Sequence, residues 1–182
     1  MTTGPTPSSP RPARNVATRT LCDVLGRPRR WERENGVVST GYLTVSDGRR
    51  VEITDDPARV DRDALWEFLS TDAYWGRWRQ RSDVEAQVAG AWRVVSAHDS
   101  NAMVGFARAV SDGVALAYLA DVYVIASHRA QGIGQALVSK MIEEGPGSGF
   151  RWMLHTRDAH SLYADFGFAR PDPTYLERAA RR

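Results

Sequence analysis

Cysteine is all but missing. Cys22 is the one thiol in 182 residues, so no internal disulfide can form and a reducing cytoplasm is the expected setting. Long apolar runs are missing too: none approaches the ~20 residues a membrane helix needs. The N-terminus shows no signal-peptide core, and no membrane partner is expected. The four His and the lone Cys stand at no metal-ligand spacing, so no metal is expected, and no Ser-His-Asp set is visible. Lysine is nearly absent as well; Lys140 stands alone among the 24 basic residues, a compositional bias without a functional signature.

What is present suits one globular domain, at 42% hydrophobic and 25% charged. The net charge of +2 is unevenly spread: residues 1–40 hold seven Arg against three acids, and the remainder 17 basic against 19 acidic residues. The basic excess thus belongs to the leading segment and not to a structured face with interleaved aromatics, so no nucleic-acid partner is expected. Residues 1–20, rich in Pro, Ser, Thr and Arg, have almost nothing to bury and read as disordered. A short helical turn is expected around Trp31. Residues 1–40 therefore form a basic extension, a dispensable tail or a targeting peptide, and residues 41–182 form the folded domain.

"GYLTV" and "RVEIT" alternate as strands do around "SDGR", an Asp-Gly hairpin signal. Asp61 caps a helix that presents Leu65, Trp66, Phe68 and Leu69. "SDVE", Ser82 to Glu85, reads as a capping box opening a second helix. A meander follows: "WRVVSA", "MVGFARAV", a second "SDG" turn, and "VALAYLADVYVI". A long helix then runs to Glu144, where "GPG" stops it. "FRWMLHT" reads as a strand, "DAHSLYADF" as a short helix ended by Gly167, and "TYLERA" as a last strand. This β-β-α-α-β-β-β-α-β-α-β order is an α/β (α+β) mixed, mostly antiparallel sheet flanked by helices, with one helical crossover between parallel strands.

The junction "SHRAQGIGQALVSK" is the sharpest local feature. A strand ends, Gly132 and Gly134 follow, and Ile133, Leu137, Val138, Met141 and Ile142 repeat at helical spacing. A helix start exposes unpaired N–H groups at the positive end of the dipole, and glycines let an anion approach them. Arg129 adds charge. Glycine spacing alone is equally compatible with a tight turn that binds nothing. A Walker loop would need Gly-Lys-Ser/Thr, and no second parallel strand with a terminal acid follows to make a dinucleotide site.

Arg129, Gly132 and Gly134 fall on the Arg/Gln-x-x-Gly-x-Gly/Ala motif, and the stretch resembles the acetyl-CoA loop of the GNAT-superfamily N-acetyltransferases. Ala159, Tyr163, Gly167 and Phe168 resemble that family's second hallmark, Ala-x-x-x-Tyr-x-x-x-Gly-Phe. "YW" at Tyr74–Trp75, "VGFARAVSD" and "AYLADVYV" resemble a bacterial subgroup of small single-domain members. The resemblance implies the GNAT acyl-CoA N-acyltransferase fold and acetyl transfer from acetyl-CoA, as co-substrate, to a primary amine of a small molecule or protein by direct attack. A degenerate acyl-CoA-binding module, or a protein acetyltransferase docking its target through the basic tail, are the alternatives. Monomer and homodimer both stay open.

By that resemblance the amides of Arg129, Ala130, Gln131, Gly132, Ile133, Gly134 and Gln135 hold the CoA pyrophosphate, and the main chain of Val122, Tyr123 and Val124 pairs with the pantetheine arm. Tyr163 matches the tyrosine that protonates the leaving thiolate; the other reading is a core tyrosine beside Phe166. Asp121, inside an apolar strand, is the candidate base, with a structural Asp bonded to Arg108 as the alternative. Leu119, Asp121 and Tyr123 would share one strand face. His155 is a second candidate base or lines the acceptor pocket. Thr156 stands where many members carry Asn, with Asp158 nearby. Tyr74, Trp75 and Trp78 are candidate acceptor-binding aromatics, or packing residues, with Arg77 or Arg79 able to attract an acid.

Overall fold

The Asp-Gly signal turns the chain as expected. In the computed structural model, which describes residues 38–179, strands β1 (Thr40–Thr44) and β2 (Arg50–Thr54) pair antiparallel across Gly48, whose φ is +84°. The expected disorder of residues 1–20 and the turn around Trp31 lie outside the described residues. After a 3-10 turn at Pro57–Arg59, Asp61 caps α1 (Arg62–Thr71), accepting from the N–H groups of Asp63 and Ala64 at 3.0 Å each.

The capping box of α2 (Arg81–Ala89) sits two residues earlier than the expected Ser82–Glu85. Gln80 is the N-cap, and its N–H donates to Asp83 Oδ2 at 2.8 Å. Glu85 is instead engaged by Arg81 one turn away, at 3.0 Å.

Strands β3 (Arg93–Asp99), β4 (Ala102–Ser111) and β5 (Leu116–Val124) form the antiparallel meander, and α3 (Ile133–Ile142) crosses over to β6 (Arg151–Met153), parallel to β5. The six strands lie in sequence order across one sheet. The strand expected over "FRWMLHT" is thus only three residues long and pairs with Leu116–Tyr118 alone. α4 (His160–Ala164) closes at Gly167, φ +78°, with Phe168 N–H returning to Tyr163 O at 3.1 Å. The last expected strand, "TYLERA", is absent among the described residues. Pro171 and Pro173 lack ladder donors, and Asp172 turns the chain by accepting from Thr174 N–H at 2.8 Å.

Helices α1 and α2 cover one sheet face, with Leu65, Phe68, Leu69, Val84 and Val88 packed against Val94, Met103, Phe106 and Tyr123. Helix α3 covers the other, burying Ile133, Leu137, Val138, Met141 and Ile142 as their spacing predicts. Arg93 joins that helix to the sheet. Its Nη2 meets Asp55 Oδ2 at 3.0 Å, and its Nη1 donates to Met141 O at 2.9 Å and also to Glu144 O. A buried guanidinium thereby serves carbonyls that the last helical turn leaves without partners.

Arg93→Met should lower the urea-denaturation free energy by about 3–5 kcal/mol, the usual result of removing one partner of a buried ion pair. Arg93→Lys, which keeps charge but not the fork, should lose less. Circular dichroism through the urea transition measures both.

Candidate active site

The sheet opens at β5. Asp121 adopts φ +51°, and the β4–β5 register shifts between Phe106 and Arg108, the mark of a bulge in β5. Asp is among the few non-glycine residues that enter the left-handed region readily. The bulge reverses the side-chain alternation beyond it. Leu119 packs on the α3 side, whereas Tyr123 stacks on Phe68 on the α1 side, centroids 3.8 Å apart. The expected common face of Leu119, Asp121 and Tyr123 is therefore split.

Because β6 pairs only with Leu116–Tyr118, the β5 edge from Leu119 to Val124 borders a gap. Tyr123 lies opposite Phe106, and Ile125 N–H donates to Val104 O at 2.9 Å on β4. By alternation, the main-chain groups of Val122 and Val124 turn away from β4 toward the gap. Tyr123, expected to share that role, has its main chain committed to β4.

The loop after β5 is built from backbone. Ala130 (φ +58°) and Gly132 (φ +81°) are both left-handed, and Gly132 is the N-cap of α3. Arg129 before them is extended, so the chain turns sharply at these two left-handed residues. Among the described residues, the N–H groups of residues 130–135 donate to no carbonyl or side chain; intrahelical bonding starts with Ala136 N–H to Gly132 O at 3.0 Å. Arg129 is fixed beside them, its Nε donating to Val124 O at 2.9 Å. A Cβ on Gly134 would meet only Leu162, at 3.7 Å, so open space lies in front of the helix start.

A cavity of about 570 Å³ adjoins the gap, between β5 and the 74–79 segment on one side and residues 154–159 on the other. Tyr74, Trp75, Trp78, Asp121, His155 and Tyr163 all line it. Asp121, however, is saturated. Arg79 grips both carboxylate oxygens at 2.8 and 3.0 Å, Arg108 Nε reaches Oδ2 at 2.5 Å, and Trp75 Nε1 donates to Oδ1 at 3.1 Å. Burial opposes ionisation, but the Arg79 hydrogen bonds and the charges of Arg108 and Arg79 outweigh it and hold the carboxyl below its usual range. The structural Asp is the reading that this geometry favours. Such a carboxylate is a poor proton acceptor.

His155 is hydrogen-bonded but not buried. Tyr118 Oη lies 2.8 Å from Nδ1 and Glu177 Oε2 lies 2.8 Å from Nε2. A carboxylate only accepts, so Nε2 carries the proton; in the neutral ring Nδ1 must then accept from the Tyr118 hydroxyl. Tyr118 and Glu177 are absent from the sequence-derived set. Tyr118 sits in an apolar run, and Glu177 arrives from a segment whose course depends on the turn at Asp172.

Tyr163 is 8% exposed, edge-on to Phe168, and burial pushes its phenol up to about 12, so it stays protonated. Thr156 accepts Ala159 N–H at 3.1 Å and helps begin α4. Tyr74 carries the Arg157 guanidinium over its ring at 3.8 Å. Arg77 is exposed and lies off the cavity lining.

A sheet opened at a bulge, with a helix N-terminus beside the opening, frames the cavity. The chain belongs to the acetyltransferase (GNAT) family, whose sequence profile matches residues 57–168. A GNAT-family protein from Xanthomonas campestris pv. campestris, solved as a crystal structure, is 30% identical, with a TM-score of 0.66 over 71% of this chain and 93% of its own. A protein of Gibberella zeae named as an acetyltransferase is 29% identical over 147 residues, 76% of this chain and 81% of that one. The same fold recurs, at 13% identity and a TM-score of 0.54, in an acetyltransferase from Clostridium acetobutylicum crystallised with acetyl-CoA, over 79% of this chain and 96% of that one.

Asp121→Asn should destabilise the fold by about 3–5 kcal/mol, since two guanidinium groups lose their counter-charge. The carboxyl lies lower in the folded chain than its ordinary 3.8, so its contribution is present above that pH and lost as pH falls below it. Urea midpoints measured from pH 6 down to pH 3 should therefore drop less steeply in Asp121→Asn than in the parent.

Proposed function

We propose that the protein transfers an acetyl group from acetyl-CoA to a primary amine by direct attack, without a covalent enzyme intermediate. The observation that carries this reading is the row of N–H groups at residues 130–135, without partners among the described residues, at the end of an unpaired strand edge. Acetyl-CoA supplies an activated acetyl thioester. The amides of residues 130–135 with Arg129 suit its pyrophosphate. The main-chain edge of Val122, with the N–H of Val124 whose carbonyl Arg129 already holds, suits the amide-bearing arm of the same molecule, as an added strand would.

An ammonium ion does not attack, so the acceptor must lose a proton. Asp121 is spent on Arg79 and Arg108, and the proposal moves this role to the Tyr118–His155–Glu177 chain. Tyr118 takes the acceptor's proton as it passes its own to His155 Nδ1, and Glu177 stabilises the imidazolium that results. Burial raises the Tyr118 phenol above its usual range, which keeps it protonated and able to act as the relay's first member. Tyr163, also neutral, is the hydroxyl that donates to the departing sulfur. The N–C bond forms, the C–S bond breaks, and one proton is taken up and one returned.

Acetyl-CoA should raise the melting temperature in a concentration-dependent manner, while ATP and NAD should not; equal stabilisation by ATP would count against the loop assignment. Gly134→Trp should abolish that shift by filling the approach to the helix start. His155→Gln should lower kcat on the order of 100-fold while leaving the acetyl-CoA-induced shift in place, with Glu177→Gln smaller in effect. Undiminished turnover in His155→Gln would remove the relay. Tyr163→Phe should lower kcat more than acetyl-CoA affinity.

A further inference from the structure

The cavity's positive charge has a free end. Arg79 offers the cavity nothing: both Nη atoms bond Asp121, Nη1 also meets Gln87 Oε1 at 2.7 Å, and Nε is enclosed without a partner among the described residues. Arg108 is different. It reaches Asp121 through Nε alone, and its Nη1 and Nη2 donate to nothing among the described residues. Neither Nη atom is among the fully enclosed, partnerless atoms, although the side chain is only 10% exposed. Arg108 lines the cavity. One carboxylate between two guanidiniums leaves a net positive charge in a nearly dry setting, where charge is screened far less than at the surface. A guanidinium held from behind at Nε and open at both Nη atoms is preorganised for a bidentate anion, and a carboxylate fits that fork.

Position supplies the rest. Arg108 lies opposite Ala120 in the β4–β5 register, and Tyr118 is two residues further along β5 on the same side of the bulge. Such diagonal neighbours are about 7–8 Å apart. On that backbone spacing, one small molecule whose anionic group and amine are a few bonds apart can reach both the open fork and the Tyr118–His155 pair. The wall around His155 carries the opposite sign, with Asp158 on the cavity lining and Glu177 on the imidazole. Arg108 thus supplies a buried positive end, and the exposed acids Asp158 and Glu177 a weaker negative one beside Arg157.

The geometry points to an acceptor that is an amino acid or a close amino-acid analogue, its carboxylate held by Arg108 and its amine presented to Tyr118. Arg108 is a specificity-determining residue. Arg157 also lines the cavity, with its guanidinium stacked on Tyr74; like Asp158 and Glu177 it is exposed, so its charge is screened more than that of Arg108. The inference rests on the acetyltransferase reading of the same site.

The test measures thiol release from acetyl-CoA with the twenty L-amino acids, each beside its α-carboxamide, and with phenethylamine and spermidine as amines lacking a carboxylate. The melting temperature of the CoA-bound protein is followed with the same compounds. At least one amino acid should exceed its amide in kcat/KM by on the order of 100-fold, because the amide leaves the buried fork unmatched. Arg108→Gln should collapse that ratio toward one, Arg108→Lys should reduce it, and Arg157→Gln should preserve it. The acid-to-amide comparison on the unaltered protein decides the matter even if Arg108→Gln does not fold. Amides or simple amines used as well as the acids overturn the carboxylate assignment and leave the transferase reading standing. Selectivity that vanishes in Arg157→Gln but survives in Arg108→Gln overturns it too. Neither turnover nor a melting shift with any amino acid overturns it, and a persisting acetyl-CoA shift then leaves the loop assignment intact. Loss of that shift as well overturns both.

Discussion

The buried cluster of Asp121 with Arg79 and Arg108 is the interaction on which the site depends. Asp121 sits at the bulge that breaks the β4–β5 register, so its carboxylate emerges where regular alternation would not aim it. Arg79 arrives from the segment between α1 and α2, and Arg108 from β4. One carboxylate thus ties three parts of the chain together where the sheet opens. Removing any of the three charges leaves the others in a poorly solvated place, which makes the arrangement costly to alter.

The same bulge sets the geometry of the opening. It turns Tyr123 into the α1 side, stacked on Phe68, and leaves Val122 and Val124 facing the gap with their main chain. The short β6 keeps that gap open, because it pairs with only three residues of β5. The loop that follows needs no particular side chain beyond Arg129. Its left-handed residues at Ala130 and Gly132 orient backbone donors, and the helix dipole adds to their potential. Unpaired backbone donors and the clustered polar side chains are therefore separated along β5 and its sequel.

Much of this was legible in the residues. The hairpin at Gly48, the cap at Asp61, the stripe from Ile133 to Ile142 and the stop at Gly167 are local signals, and each formed where its spacing placed it. The loop was legible for the same reason, since Gly132 and Gly134 act through conformation and bulk within a few residues. The shifted capping box at Gln80 shows how narrow that legibility is. Two acids, Asp83 and Glu85, could each take the capping role, and the nearby Arg81 claimed Glu85.

By itself, the sequence determined the element order as far as α4, the apolar faces and the glycine turn that opens α3, because these follow from periodicity, capping and backbone freedom over short distances. Only the tertiary structure decided what the polar residues do. Asp121 became an ion-pair hub because Arg79 and Arg108, 42 and 13 residues away, converge on it. His155 acquired its partners from Tyr118 and Glu177, 37 and 22 residues away. A charge buried in a strand announces that it has a partner, but the partner is chosen by which segments pack together.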